Sequence, residues 1–108
     1  ILSATSRGGL AAFSKSIAIN FAKDNISSNV ISPGAILTER FTNLVKVAAK
    51  NENKSYIKKL SEIIKNIPAK RIAKPSEIAN AAAFLASDSS GYINGVDLSI
   101  DGAFTKGY

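Results

Sequence analysis

The sequence contains no cysteine and no histidine. Without cysteine there is no disulfide, no thiolate nucleophile and no Cys-ligated metal, a composition compatible with a reducing compartment. Without histidine the commonest general base and the commonest metal ligand are both missing, and no metal site is read from the chain. Acid–base chemistry must therefore use Tyr, Lys, Ser, a carboxylate or another part of the protein. No apolar run reaches the roughly 18 residues that a membrane-spanning helix needs. The opening residues Ile1 to Arg7 do not set a basic segment before an apolar stretch, as a signal peptide would. There is no initial Met, and the chain opens in mid-pattern, as if cut from something longer.

What is present is an ordinary globular composition over 108 residues. That length fits one domain or part of one. A chain of this size can bury roughly 65% of the surface its unfolded form exposes. The net charge of +6 is unevenly placed. Arg40, Lys46, Lys50, Lys54, Lys58, Lys59, Lys65, Lys70, Arg71 and Lys74 follow one another with only Glu52 and Glu62 against them. A solvated helical face accounts for this run. Attraction of an anionic substrate or cofactor phosphate is the sharper reading. Nucleic-acid binding is not expected, because no aromatic residues interleave with the basic ones to stack bases.

The hydrophobic pattern gives the order helix, strand, helical insert, helix, strand. From Ala4 to Lys23 apolar residues recur at three and four, putting Leu10, Phe13, Ile17 and Phe21 on one face. Ala11, Ala18 and Ala22 add small residues that permit close helix approach. Asn25 suits a left-handed cap. Ser28 to Ser32 reads as a strand buried on both faces, stopped by Pro33-Gly34. Thr38 to Lys50 and Ser55 to Asn66 are helical. The first carries Phe41, Leu44, Val45 and Ala48 inward, and the second carries Tyr56, Ile57, Leu60, Ile63 and Ile64. Pro75-Ser76-Glu77 opens another helix, with Pro near its first position and an acid in its first turn. Asn94-Gly95 marks a turn, and Val96, Leu98 and Ile100 alternate as a strand. Two parallel strands joined by a helix cross over right-handedly, and two strands alone make a poor sheet.

Several blocks agree in order and spacing with one family. They are Phe13-Ser14-Lys15-Ser16, Asn29 to Gly34, Ile67-Pro68 with Arg71-Ile72, Lys74 to Ala79, Phe84 to Asp88, Tyr92 to Gly95, and Asp101-Gly102. The chain resembles the C-terminal half of a short-chain dehydrogenase/reductase. The resemblance implies an α/β fold: the C-terminal part of a Rossmann-type doubly wound parallel sheet with a helical substrate-lid insert. Residues 1–108 would form part of a single domain whose dinucleotide-binding half, with its glycine loop and catalytic serine, is absent. By the same resemblance Pro33, Gly34, Ile36 and Thr38 form one wall of the nicotinamide pocket. The backbone of Ile36 would bond the carboxamide, and the Thr38 hydroxyl would bond the carboxamide or pyrophosphate. A purely structural turn with Thr38 capping the next helix is the competing reading.

The family's active site is a Tyr followed four residues later by a Lys, and here Ser3 and Arg7 fall at those positions. A serine hydroxyl is far less acidic than a phenol and needs help to act as a general acid. Arginine keeps the positive charge and can hold ribose hydroxyls, but it relays no proton. A divergent branch with Ser and Arg is implied. Ser3 is then either a catalytic acid or a helix N-cap, and Arg7 either a cofactor-contacting cation or a surface or interface charge. The implied function is NAD- or NADP-dependent hydride transfer between a small-molecule alcohol and a carbonyl, 3-oxoacyl reductase-like, by the full-length cytoplasmic enzyme. The alternative is a catalytically silent, cofactor-binding homologue that acts as a partner subunit. A homo-tetramer or homo-dimer is expected, with no membrane or nucleic-acid partner. The fragment alone is expected to be poorly folded and inactive.

Overall fold

The computed structural model describes residues 2–105, with side chains from residue 6 onward. The elements are α1 (Leu2–Phe21), β1 (Val30–Pro33), α2 (Glu39–Asn51), α3 (Tyr56–Lys65), α4 (Pro75–Leu85) and β2 (Asp97–Ile100), with short 3-10 turns at Ala22–Asp24 and Asp88–Ser90. The order is the one the hydrophobic pattern predicts. Among the described residues no helix is long and apolar enough to cross a membrane.

β1 and β2 pair directly. Val30 N–H donates to the Val96 carbonyl at 2.8 Å, and Gly34 N–H to the Ile100 carbonyl at 2.9 Å. Both bonds advance the same way along the two strands, so the pair is parallel. The strand begins two residues later and ends one residue later than expected, and Pro33 is its last residue instead of its stop. The donors facing β2 are at 30 and 34, and the two-residue period turns the nitrogen of Pro33 to the other edge. Its missing N–H costs the ladder nothing.

The chain divides into two compact units, Ile1–Ser32 with Asn80–Leu98, and Pro33–Ala79 with Ser99–Tyr108. In the first unit the buried face of α1 is the small one. Ser14 and Ala18 are covered, while Leu10 is 59% exposed and Phe13 65% exposed. Ser14 Oγ lies 2.8 Å from Ser28 Oγ. Lys15 Nζ donates to the Gly95 carbonyl at 3.2 Å. Gly95 has a φ of +72°, and a Cβ there would meet Lys15 and the Ala18 methyl at 3.0–3.2 Å. Close approach selects small residues, so of the apolar face read from the spacing Leu10, Phe13 and Phe21 are exposed and Ile17 is half-buried. Ala18, read as free for a second helix, is already covered by its own chain. Two asparagines join the segments beside this helix. Asn94 Oδ1 accepts from Ser28 N–H at 2.9 Å, and Asn29 Oδ1 accepts from Val96 N–H at 3.0 Å. Asn25 takes the left-handed cap position, with φ 60°.

In the second unit α2 and α3 form a helical hairpin. Thr38 caps α2 and Ser55 caps α3, each side chain accepting a backbone N–H. Val45 and Ala49 are buried, whereas Leu44 and Ile57, expected on the inner faces, are exposed. The buried stripe of α2 is turned toward position 49, because an i, i+4 pair and not 44–45 meets the neighbour. Glu52 holds Lys59 at 2.7 Å and Lys54 at 3.2 Å, and Lys54 also reaches Glu62 at 2.8 Å. Hydrogen bonds from Lys59 and Lys54 lower the Glu52 carboxyl, and Glu62 and Glu52 raise the Lys54 ammonium. The two acids of the basic stretch therefore sit together at the hairpin, and part of the positive run is structural.

Candidate functional site

The Pro33-to-Thr38 segment begins where β1 ends. Gly34 is pressed against the start of the loop after β2: a Cβ at this position would lie 2.7 Å from Asp101 Cβ and 2.8 Å from its Cα. The φ of Gly34 is not in the left-handed region, so the requirement for glycine is steric.

Beyond Gly34 the chain meets a second parallel partner. Ile36 forms an isolated parallel bridge with Ala73. Ala73 N–H donates to the Ala35 carbonyl at 3.1 Å, and Leu37 N–H donates to the Ala73 carbonyl at 2.9 Å. Because residues 35 and 37 face Ala73, the N–H and C=O of Ile36 point to the opposite edge. Among the described residues neither has a hydrogen-bond partner. One residue thus offers a donor and an acceptor side by side, the complement of a carboxamide.

Two residues on, Thr38 Oγ1 accepts from Phe41 N–H at 3.1 Å. The capping role is real, and the hydroxyl proton remains to be donated elsewhere. The start of α2 adds its partial positive charge beside it. These features fit the amide and phosphate chemistry of a dinucleotide. By contrast, the cavity of about 80 Å3 bordered by Ala35, Arg71, Ala73 and Glu77 lies well below the ~300 Å3 of a small-molecule site.

Pro33, Gly34, Ile36 and Thr38 are thus brought onto one short segment. Arg7 lies on α1 in the first unit and is exposed. Ser3 lies within the described part of α1, and its side chain lies outside the described residues. Ala73 had no signal in the sequence as the partner of Ile36. The Arg71–Glu77 ion pair also escaped the sequence reading, although the acid in the first turn of α4 was recognised. Arg71 Nη1 and Nη2 meet the two Glu77 oxygens at 2.8 and 2.6 Å.

A parallel strand pair, a connecting helix and a polar turn at a strand's carboxyl end define an α/β protein of the open-sheet class, which binds ligands at that end. Comparison with known proteins makes the class specific. The family model described as enoyl-(acyl carrier protein) reductase matches residues 2–105. The chain is 40% identical over 93 residues to the NADPH-dependent reductase BacG of Bacillus subtilis (strain 168), covering 86% of this chain and 36% of that protein. It is 39% identical over 99 residues to the 3-oxoacyl-(acyl-carrier-protein) reductase FabG of Chlamydia trachomatis serovar D, covering 92% of this chain and 36% of that protein. A crystal structure of a short chain dehydrogenase family protein from Francisella tularensis superposes with a TM-score of 0.90 at 36% identity, covering 95% of this chain and 43% of the other. The chain belongs to the short-chain dehydrogenase/reductase family and has its Rossmann-type α/β fold. It spans only about a third of the length of these curated relatives.

Proposed function

We propose that the protein to which these residues belong is a nicotinamide-dinucleotide-dependent oxidoreductase that interconverts a small alcohol and its carbonyl, with 3-oxoacyl compounds the first substrates to test. The observation that carries this reading is the outward-facing N–H and C=O of Ile36, held at the end of a parallel strand and followed by a helix start. Family membership supports it, and so do relatives named for NADPH-dependent and 3-oxoacyl reduction.

In this reading Ile36 grips the carboxamide and fixes which face of the ring meets the substrate. The Thr38 hydroxyl donates to the carboxamide or pyrophosphate, and Gly34 lets the strand end lie close to Asp101. The bound nicotinamide supplies or accepts the hydride. Arg7 contributes a fixed positive charge for ribose hydroxyls and moves no proton. Ser3 is the divergent element of the proton path, and the proton then enters through Ser3, water or an upstream group. The α2–α3 hairpin covers the substrate. The rest of the dinucleotide site belongs to sequence upstream of these residues. The many exposed apolar side chains support that division: Ala18, Val45, Ala49 and Ile67 are the buried apolar residues of the described chain, while Leu10, Phe13, Leu44 and Ile57 are among those left exposed. A homo-tetramer or homo-dimer in a reducing compartment completes the proposal.

The test is titration of the protein, as its gene encodes it, with NADH and NADPH, followed by turnover of 3-oxoacyl thioesters and simple ketones. Absence of affinity for both cofactors refutes the reading. Ser3 and Arg7 at the positions of the family's Tyr and Lys favour a second reading, a cofactor-binding but catalytically silent subunit. Binding without turnover, with activity gained on Ser3→Tyr combined with Arg7→Lys, selects that one.

A further inference from the structure

The Ile36–Ala73 contact is a single bridge with two hydrogen bonds. A pairing so short has little to hold its register. A slip of one residue would turn the polar groups of Ile36 inward and those of its neighbours outward. A closed set of hydrogen bonds flanks Ala73. The Arg71 guanidinium grips the Glu77 carboxylate with both nitrogens, at 2.8 and 2.6 Å. Glu77 also accepts from Lys74 N–H at 2.8 Å, and its own N–H donates to the Lys74 carbonyl at 2.9 Å. That is the acid half of a capping box, with Glu77 at the third position of α4 reaching back to the residue before the helix. Ala73 therefore lies between two residues tied to one carboxylate, and Pro75 stiffens the way into α4. Arg71 first, then the Lys74 amide, hold the Glu77 carboxyl down to about 2, so the clamp stays ionised at neutral pH.

We propose that Arg71 and Glu77 are a positioning pair: by fixing Ala73 they set the register of Ala35–Leu37 and so aim the N–H and C=O of Ile36 at the nicotinamide carboxamide. They touch no ligand themselves. The proposal rests on the cofactor reading above and adds the device that orients the site.

The experiment uses the protein as its gene encodes it, in wild-type form and as Arg71→Ala, Arg71→Lys, Glu77→Ala and Glu77→Gln. Lys23→Ala, which removes an exposed charge in the 3-10 turn after α1, is the control. Amide exchange at Leu37 and Ala73 is measured without cofactor. Dissociation constants are then measured for NADPH, NADH and ADP-ribose, which lacks the nicotinamide. Arg71→Ala and Glu77→Ala should speed exchange at the two amides about tenfold, as a local opening. They should weaken the preferred dinucleotide about three- to tenfold while leaving ADP-ribose unchanged, since a register device acts only on the group it aims. Arg71→Lys keeps the charge without the fork and should recover only part of the loss. Lys23→Ala should match wild type in every measurement. An equal loss of dinucleotide and ADP-ribose affinity overturns the proposal, because that is general destabilisation. So does faster exchange with unchanged dinucleotide affinity, or unchanged exchange at Leu37 and Ala73. A wild-type protein that binds neither dinucleotide removes the functional reading itself, and the clamp's purpose with it.

Discussion

Replacing Gly34 by alanine tests the geometry of the strand-end turn most directly. The added methyl would lie 2.7 Å from Asp101 Cβ and 2.8 Å from Asp101 Cα. Both distances are about an ångström short of a carbon–carbon contact, which is normally ~3.5–4.0 Å. One of the opposing atoms is backbone, so no rotamer change relieves the clash, and one of the two chains must move. Forced overpacking of this kind costs about 1–3 kcal/mol. If the movement also breaks the Gly34 N–H bond to Ile100, at 2.9 Å, it loses about 1 kcal/mol more. The expected total is about 2–4 kcal/mol for Gly34→Ala and larger for Gly34→Val. Urea unfolding of the protein as its gene encodes it should show the midpoint falling by about 1 M or more at an unchanged slope. Gly91→Ala is the internal control. Its Cβ would lie an ordinary 3.4 Å from the Asp88 carbonyl, so it should stay within about 0.5 kcal/mol of wild type. A Gly34→Ala midpoint indistinguishable from wild type would refute the close approach.

Thr38→Ala removes the cap of α2 and should cost about 1 kcal/mol, with Thr38→Ser close to neutral; dinucleotide titration of the same variants then separates capping from ligand donation. Val45→Ala should destabilise by about 2 kcal/mol, because its side chain is enclosed, whereas Leu44→Ala should stay within about 0.5 kcal/mol; equal effects would mean that α2 is rotated differently. Glu77 has its carboxyl lowered from 4.5 to about 2 by Arg71 and the Lys74 amide. A depressed carboxyl contributes stability that is whole above the unfolded value and disappears as pH falls through the folded one. Wild type should therefore lose an increment of stability between about pH 4.5 and 2 that Glu77→Gln lacks, and parallel acid-unfolding curves would contradict this. The 108 residues expressed alone should give no cooperative melt, and a sharp thermal transition would show that they need no upstream partner.

The order of elements was legible because periodicity is local. The amphipathic run of α3, the Pro75-Ser76-Glu77 start of α4, the Asn25 cap and the Asn94-Gly95 turn each depend on residues within a few positions of one another. The family was legible because its blocks keep their spacing along the chain, the Pro33-to-Thr38 turn among them. What sequence could not supply was which side of each element meets a neighbour. Leu10 and Phe13 satisfy the helical period as well as Ser14 and Ala18 do. Only the closeness of Gly95 to Ala18 and of Ser28 to Ser14 decides for the small pair. Likewise nothing local marks Ala73 as the partner of Ile36, or Asp101 as the neighbour that excludes a side chain at Gly34. The sequence by itself determined where helices, strands and the polar turn lie, since φ/ψ preference and periodicity are carried by adjacent residues. The tertiary structure alone decided which way the N–H and C=O of Ile36 point, because that is set by hydrogen bonds to a residue 37 positions further along the chain.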